Sequence, residues 1–287
     1  ERMIVHGVAI KCLTILSVLN HVASVSELCG LSELNFNPRS AKILNGSCTP
    51  HEAVPWIAQI QIKVNKKYVH HCGGTLVAHD IVLTAAHCLL TRDKMRVVLG
   101  QYNLTSTDQR ERIFKIDKHI LHSDWDSFKT GRYSNDIALI KIQTSRDAHN
   151  FAPACLPQSS MKLFGKKCII SGWGKTKAKG KEISNNCLRS ANVKVFRLEK
   201  CQSFYEPVGK RLSQGMVCAG AENGGVDSCK GDSGGPLMCS DGERFYVHGI
   251  VSWGHGCGQK GKPGVYTQVQ KYHHWVRHNI ELLHKTN

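Results

Sequence analysis

The sequence predicts an all-β fold that ends in one helix, and three observations carry that expectation. Helical periodicity is nearly absent between residues 43 and 265. That region instead holds short strand-like runs such as Trp56-Ile-Ala-Gln-Ile-Gln-Ile62, Ile137-Ala-Leu-Ile-Lys-Ile142 and Tyr246-Val-His-Gly-Ile-Val251, separated by Gly, Asn, Asp and Ser turns. After residue 271 the pattern changes: Tyr272-His-His-Trp-Val-Arg-His-Asn-Ile-Glu-Leu-Leu283 puts Trp275, Val276, Ile280 and Leu283 on one side of a helix. Regularly spaced short strands fit a sandwich or a barrel. No internal repeat is visible. With 41% hydrophobic residues over 287 positions, the chain has enough apolar content for a substantial core, so a disordered protein is not the expectation.

The beginning of the chain has a different character. From Met3 to Leu19 it is apolar apart from Lys11 and a few small polar residues, and Ala23 and Ser24 then offer the small side chains that precede a processing site. Residues 1–26 are therefore expected to be a signal peptide, and the protein to be secreted and extracellular. A membrane anchor is the alternative. Lys11 and His21 break the run well short of the roughly 18 continuous apolar residues a span requires, so no membrane span is expected. Thirteen cysteines lie scattered along the chain, without zinc-ligand spacing, which points to disulfides and an oxidising compartment. Loss of the leader removes Cys12 and leaves an even twelve.

The formal charge of +16 is large, and Lys/Arg pairs or runs recur at Lys66-Lys67, Lys166-Lys167, Lys175 to Lys181 and Lys210-Arg211. Such a surface is either a solvated face or a site for heparin-like polyanions or acidic substrates. No nucleic-acid module accompanies the charge, so no nucleic-acid partner is expected. The paired histidines His70-His71 and His273-His274 lack a second ligand cluster, and neither a metal nor another cofactor is expected.

Three strings carry chemistry: Leu83-Thr-Ala-Ala-His-Cys88, Asn135-Asp-Ile-Ala-Leu-Ile140 and Asp227-Ser-Cys-Lys-Gly-Asp-Ser-Gly-Gly-Pro236. A serine hydroxyl is a weak nucleophile at neutral pH and needs a neighbouring base. A histidine supplies one when a buried carboxylate fixes its tautomer and offsets the charge it acquires. In wording, order and spacing the three strings resemble the trypsin (chymotrypsin-like) family of secreted serine proteases, over roughly residues 43 to 280. The resemblance implies two antiparallel six-stranded β-barrels, about 43–155 and 156–270, with a terminal helix at about 271–285 packed against the last barrel. It further implies a protease domain over 43–287 behind an activation pro-segment at 27–42.

By the same resemblance, His87, Asp136 and Ser233 form a catalytic triad, and the backbone N–H groups of Gly231 and Ser233 form the oxyanion hole. Asp227 lies at the base of the primary pocket and selects Lys or Arg, because a neutral guest would leave a buried carboxylate unpaired. Ser228, Ser252, Trp253, Gly254 and Gly264 form the pocket around it. Cleavage after Lys42 frees the amino group of Ile43 to pair with Asp232. That pairing lasts only while the amine is protonated. The implied bridges are Cys29–Cys155, Cys48–Cys187, Cys72–Cys88, Cys168–Cys239, Cys201–Cys218 and Cys229–Cys257, so that the pro-segment stays tethered. Implied partners are protein or peptide substrates with Lys or Arg at the cut and protein inhibitors, acting on a monomer.

The chain departs from the family pattern in several places. Leu44 and Asn45 replace the usual residues after the activation bond, and Asn45 opens a glycosylation sequon. Lys230 stands where a Gln is common, and its charge is expected to favour acidic residues next to the cut. The stretch Gly100 to Glu111 resembles a calcium-binding loop, but Gln101 takes the place of a carboxylate ligand, so weak or no binding is expected. Asn103-Leu-Thr105 is an N-glycosylation sequon expected to be occupied. The Lys-rich loop from Gly174 to Lys181 is a candidate self-cleavage site.

Overall fold

The structure, a computed structural model, describes residues 29–32, 48–91, 93–125, 133–143, 148, 150–166, 168–175 and 186–285. The expected signal segment, Lys42, Ile43, Asn45 and most of the Lys175 to Lys181 loop lie outside the described residues.

Twelve strands form two closed barrels. β1 (Ile57–Val64), β2 (Lys67–Ala78), β3 (Ile81–Thr84), β4 (Met95–Leu99), β5 (Arg112–Leu121) and β6 (Ala138–Ile142) close the first, in the order β1-β2-β3-β6-β5-β4. β7 (Cys168–Gly172), β8 (Arg189–Phe196), β9 (Met216–Gly220), β10 (Pro236–Ser240), β11 (Phe245–Trp253) and β12 (Gly264–Gln268) close the second. Its order, β7-β8-β9-β12-β11-β10, repeats the connectivity of the first. Every strand pairing is antiparallel. The alternatives of sandwich and barrel thus resolve to two antiparallel six-stranded barrels. The duplication is one of topology, with no matching residues to betray it in the sequence.

The two barrels share a core. Trp56 is fully buried and packs against Phe245 of β11, ring centroids 5.3 Å apart, while Val54, Met238, Val247 and Ile250 belong to the same cluster. Interior close packing of this kind makes truncation expensive, about 3–5 kcal/mol for a buried Trp. Six disulfides join the pairs implied above: Cys29–Cys155, Cys48–Cys187, Cys72–Cys88, Cys168–Cys239, Cys201–Cys218 and Cys229–Cys257. The first ties residues 29–32 to the body of the molecule. Gly30 there donates to Pro153 O (2.7 Å) and accepts from Phe245 N (2.9 Å).

Among the described residues two α-helices stand outside the barrels. α1 (Leu198–Tyr205) was not expected from the sequence. It is too short for a periodic signal, buries only Cys201 and Tyr205, and is tethered to β9 through Cys201–Cys218. α2 (His273–Lys285) follows a 3-10 turn at Val269–Tyr272 and buries Val276, Asn279 and Leu283.

The expectation that the terminal helix packs against the last barrel is corrected: α2 crosses back to the first. Lys141 of β6 donates Nζ–H to Leu283 O (2.8 Å), His284 Nε2 lies 2.9 Å from Asp80, and Trp275 stacks near His122 with centroids 5.2 Å apart. The physical reason lies at the helix end. Its last carbonyls have no partners within the helix and carry the negative end of the dipole, and the buried ammonium of Lys141 answers both needs.

Candidate active site

His87 sits in the 3-10 turn Ala86–Leu89 that leaves β3, fixed by the Cys72–Cys88 disulfide next to it. Asp136 lies two residues before β6 and is 1% exposed. Its neighbour Asn135 adopts φ 58°, a left-handed conformation that Asn tolerates, and is held by Tyr272 Oη donating to its Oδ1 (2.9 Å) and by its own Nδ2 donating to Asp124 O (2.8 Å).

The Asp136 carboxylate accepts three hydrogen bonds. His87 Nδ1 lies 2.8 Å from Oδ2, the His87 backbone N–H reaches Oδ1 at 3.0 Å, and Ser252 Oγ donates to Oδ2 at 2.5 Å. Thr267 donates to the Asp136 main-chain carbonyl at 2.8 Å. A buried charge with this many donors is compensated. Because Nδ1 donates to the carboxylate, Nε2 is the accepting nitrogen of the neutral tautomer, and His87 and Ser233 both line the cleft.

Ser233 is presented by the turn before β10. Ser233 O accepts from Gly73 N of the first barrel at 2.7 Å, so the serine is positioned across the barrel junction. Along this turn the amides of Asp232, Gly234 and Gly235 donate to Cys229, Val251 and Asp232 carbonyls. Among the described residues no acceptor takes the amides of Gly231 and Ser233, which fits a paired binding site for an anionic oxygen. Gly231 has φ +98°, which disfavours any side chain.

Asp232 is fully enclosed. Its oxygens accept from Gly174 N (2.8 Å) and Cys229 N (2.9 Å), and burial pushes its pKa up to about 6 against those bonds. A Cβ on Gly174 would sit 2.3 Å from Oδ2, so only glycine permits this approach.

Asp227 is 2% exposed and accepts from Gly258 N and from Gly264 N, a residue of the cleft lining, both at 2.9 Å. Desolvation drives its pKa up to about 7 despite those bonds. Ser228, Ser252, Trp253, Gly254 and Gly264 all line the cleft. Ser228 Oγ accepts from Tyr266 Oη at 3.0 Å. Ser252, expected only in the pocket wall, turns its hydroxyl to Asp136 as well.

Residues that the sequence did not single out for the cleft include Tyr133, Lys210 and His255; His70 does not line it but lies behind Gly231, its Nε2 2.7 Å from Gly231 O. The adjacent pair His70-His71 was the visible signal, read there only as a rejected metal motif.

The loop that resembles a calcium site does not suit a cation. Gln101 is 5% exposed and its Nε2 donates to Asn103 O (2.8 Å), Ser106 O (3.4 Å) and Glu111 Oε2 (3.3 Å). A donor amide thus occupies the centre of the oxygens that a metal would need. In the same loop Thr105 Oγ1 donates to Asn103 Oδ1 at 2.8 Å, with Thr105 exposed and Asn103 half-buried.

The family described as Trypsin matches residues 43–276. Among curated relatives, trypsin I-P1 of Gallus gallus is 38% identical over 236 residues, 82% of this chain and 88% of the relative. The urokinase-type plasminogen activator of Gallus gallus is 37% identical over 255 residues, 84% of this chain and 58% of the relative. Coagulation factor XI of Bos taurus is 34% identical over 269 residues, 90% of this chain and 42% of the relative. The chain therefore spans most of the trypsin but only about half of the longer relatives. No helix among the described residues is long and apolar enough to cross a membrane.

Proposed function

Because the chain belongs to the trypsin family of serine endopeptidases, we propose that it cleaves peptide bonds after Lys or Arg through an acyl-enzyme formed on Ser233. The observation that carries this reading is the line of hydrogen bonds from Ser252 through Asp136 to His87, which ends in the cleft that also holds Ser233.

In this mechanism His87 takes the Ser233 hydroxyl proton as Oγ attacks the scissile carbonyl, then returns it to the leaving amine. Asp136 keeps the imidazole in the required tautomer and stabilises its cationic form. The Gly231 and Ser233 amides receive the oxyanion, each donor worth roughly 3 to 4 kcal/mol of barrier. Water then repeats the sequence to release the acid. Asp227 selects the cationic side chain, since it is buried with only backbone donors and a guanidinium or ammonium would complete its charge.

The chain acts as a zymogen in this reading: cleavage after Lys42 releases Ile43, whose ammonium pairs with Asp232 and orders the oxyanion hole. The buried, glycine-lined seat of Asp232 supports that role. Secretion behind a signal peptide at 1–26, a tethered pro-segment, glycosylation at Asn103 and control by protein inhibitors belong to the same proposal. The six disulfides support an oxidising, extracellular setting.

The test is to cut the purified chain after Lys42 and compare Arg, Lys and Phe peptides on wild type and Ser233→Ala. Rapid hydrolysis after Arg or Lys that disappears in the variant is the expected result. Correctly cut, folded protein with no activity on any of the three would overturn the reading.

A further inference from the structure

Outside the Asp227 pocket, the open cleft carries charge of one sign. Its described lining includes Lys175, Lys210 and Lys230 together with His87 and His255, and no Asp or Glu. The nearby carboxylates are withdrawn from it, Asp227 beneath the pocket at 2% exposure and Asp136 behind His87 at 1%.

The lysines occupy two different walls. Lys175 N donates to Lys230 O at 2.9 Å, which puts these two side by side next to Gly231. Lys210 belongs to the aromatic wall: its Nζ lies 5.4 Å from the centroid of Tyr133, whose ring is 5.4 Å from that of Trp253. A cation seated over an aromatic face is held in place without being neutralised. Among the described residues neither Lys210 nor Lys230 pairs with a carboxylate, whereas Lys194 and Lys200 both reach Glu222, at 3.5 and 3.4 Å.

Like charges gathered in a cleft with low-dielectric walls strengthen one another's field and concentrate ligands of opposite sign. They also repel basic residues placed beside the one that enters the pocket. We propose that the cleft selects substrates in which the Lys or Arg at the cut is flanked by Asp or Glu, with Lys230 recognising an acidic side chain on one side of the scissile bond and Lys210 one on the other. This rests on the endopeptidase reading above and specifies its substrate class: acidic segments punctuated by a single basic residue.

The experiment uses the cut enzyme and Arg peptides whose flanking residues, before or after the cut, are Glu, Ala or Lys. It measures kcat/KM at low and at 0.5 M salt for wild type, Lys210→Gln, Lys230→Gln and the double variant. Each enzyme serves as its own reference, so the Glu-to-Ala ratio reports charge recognition and is insensitive to how much protein is folded. The wild-type ratio is expected to be about three- to tenfold at low salt and to shrink at high salt, as for partly exposed ion pairs. Each single variant should lower the ratio on one side of the cut, and the double variant should bring both near one.

A wild-type ratio near one, or a ratio unchanged in the double variant, would overturn the proposal while leaving cleavage after Arg intact. If no Arg peptide is cleaved at all, with Ala flanks or any other, the endopeptidase reading fails and this proposal with it.

Discussion

His70 Nε2 lies 2.7 Å from the carbonyl oxygen of Gly231, across the junction between the barrels. A carbonyl only accepts, so Nε2 carries the proton and donates. Burial holds the ring's pKa below its usual range and keeps it neutral, with Nδ1 unpartnered among the described residues. The bond fixes the peptide whose own N–H is assigned to the oxyanion. His70→Ala is therefore expected to lower kcat by about tenfold, a fraction of the 10² to 10³ that loss of a whole donor costs, with KM nearly unchanged. Steady-state kinetics on an Arg peptide checks this; an unchanged kcat, or a loss confined to KM, removes His70 as a positioning residue.

Asp227 gives a pH dependence that can be read without catalysis. Its folded pKa is raised from 3.8 to about 7 by burial, so the folded state holds the proton more tightly than the unfolded chain does. The stability it contributes is present in full below about 3.8 and is lost as pH rises through about 7. A cation in the pocket favours the ionised form and opposes that loss. An aryl amidinium should thus bind Ser233→Ala with a Kd that weakens about tenfold per unit as pH falls below about 7. Calorimetric titration between pH 5 and 9 measures it, and the same slope in Asp227→Asn would assign the effect elsewhere.

The Gln101 loop should gain a metal requirement by one substitution. In Gln101→Glu the donor amide becomes a second carboxylate beside Glu111, facing the carbonyls of Asn103 and Ser106. Like charges at that distance destabilise the loop until a cation joins them. The melting temperature of the variant is expected to fall by several degrees and to recover with millimolar calcium, while wild type stays indifferent. Equal calcium response in both proteins would mean that the amide does not replace a cation.

Lys141 tests how the terminal helix is held. Lys141→Met keeps the buried stem and deletes the ammonium that caps Leu283 O. The unpaired carbonyl and the lost dipole interaction are expected to cost about 1–3 kcal/mol. Denaturant unfolding compares the two proteins, and a change below a few tenths would show that the Lys141 bond does not hold the helix.

The all-β character and the residues proposed for the site, His87, Asp136, Ser233 and Asp227, stand out because each depends on local wording: a residue between fixed neighbours, or a run of alternating apolar positions. His70, Lys210 and Tyr133 do not, since their roles arise from elements far apart in the chain. His70 lies 161 positions from Gly231. Nothing local distinguishes a histidine that supports a distant carbonyl from one on a surface strand. α1 escaped for a different reason, because about two turns of helix held by a disulfide need no periodic stripe.

The sequence by itself determined the all-β character, strand-like runs such as those at 56–62, 137–142 and 246–251, the amphipathic stripe of the last helix and the three strings of the candidate site, because these follow from residue type at short spacing. Only the tertiary structure decided that the last helix returns to the first barrel, that Ser252 serves Asp136, and that three lysines share one cleft whose described lining holds no Asp or Glu. Those outcomes depend on which surfaces close packing brings together. A buried carbonyl, carboxylate or ammonium takes whatever complementary group the fold delivers, however distant in sequence.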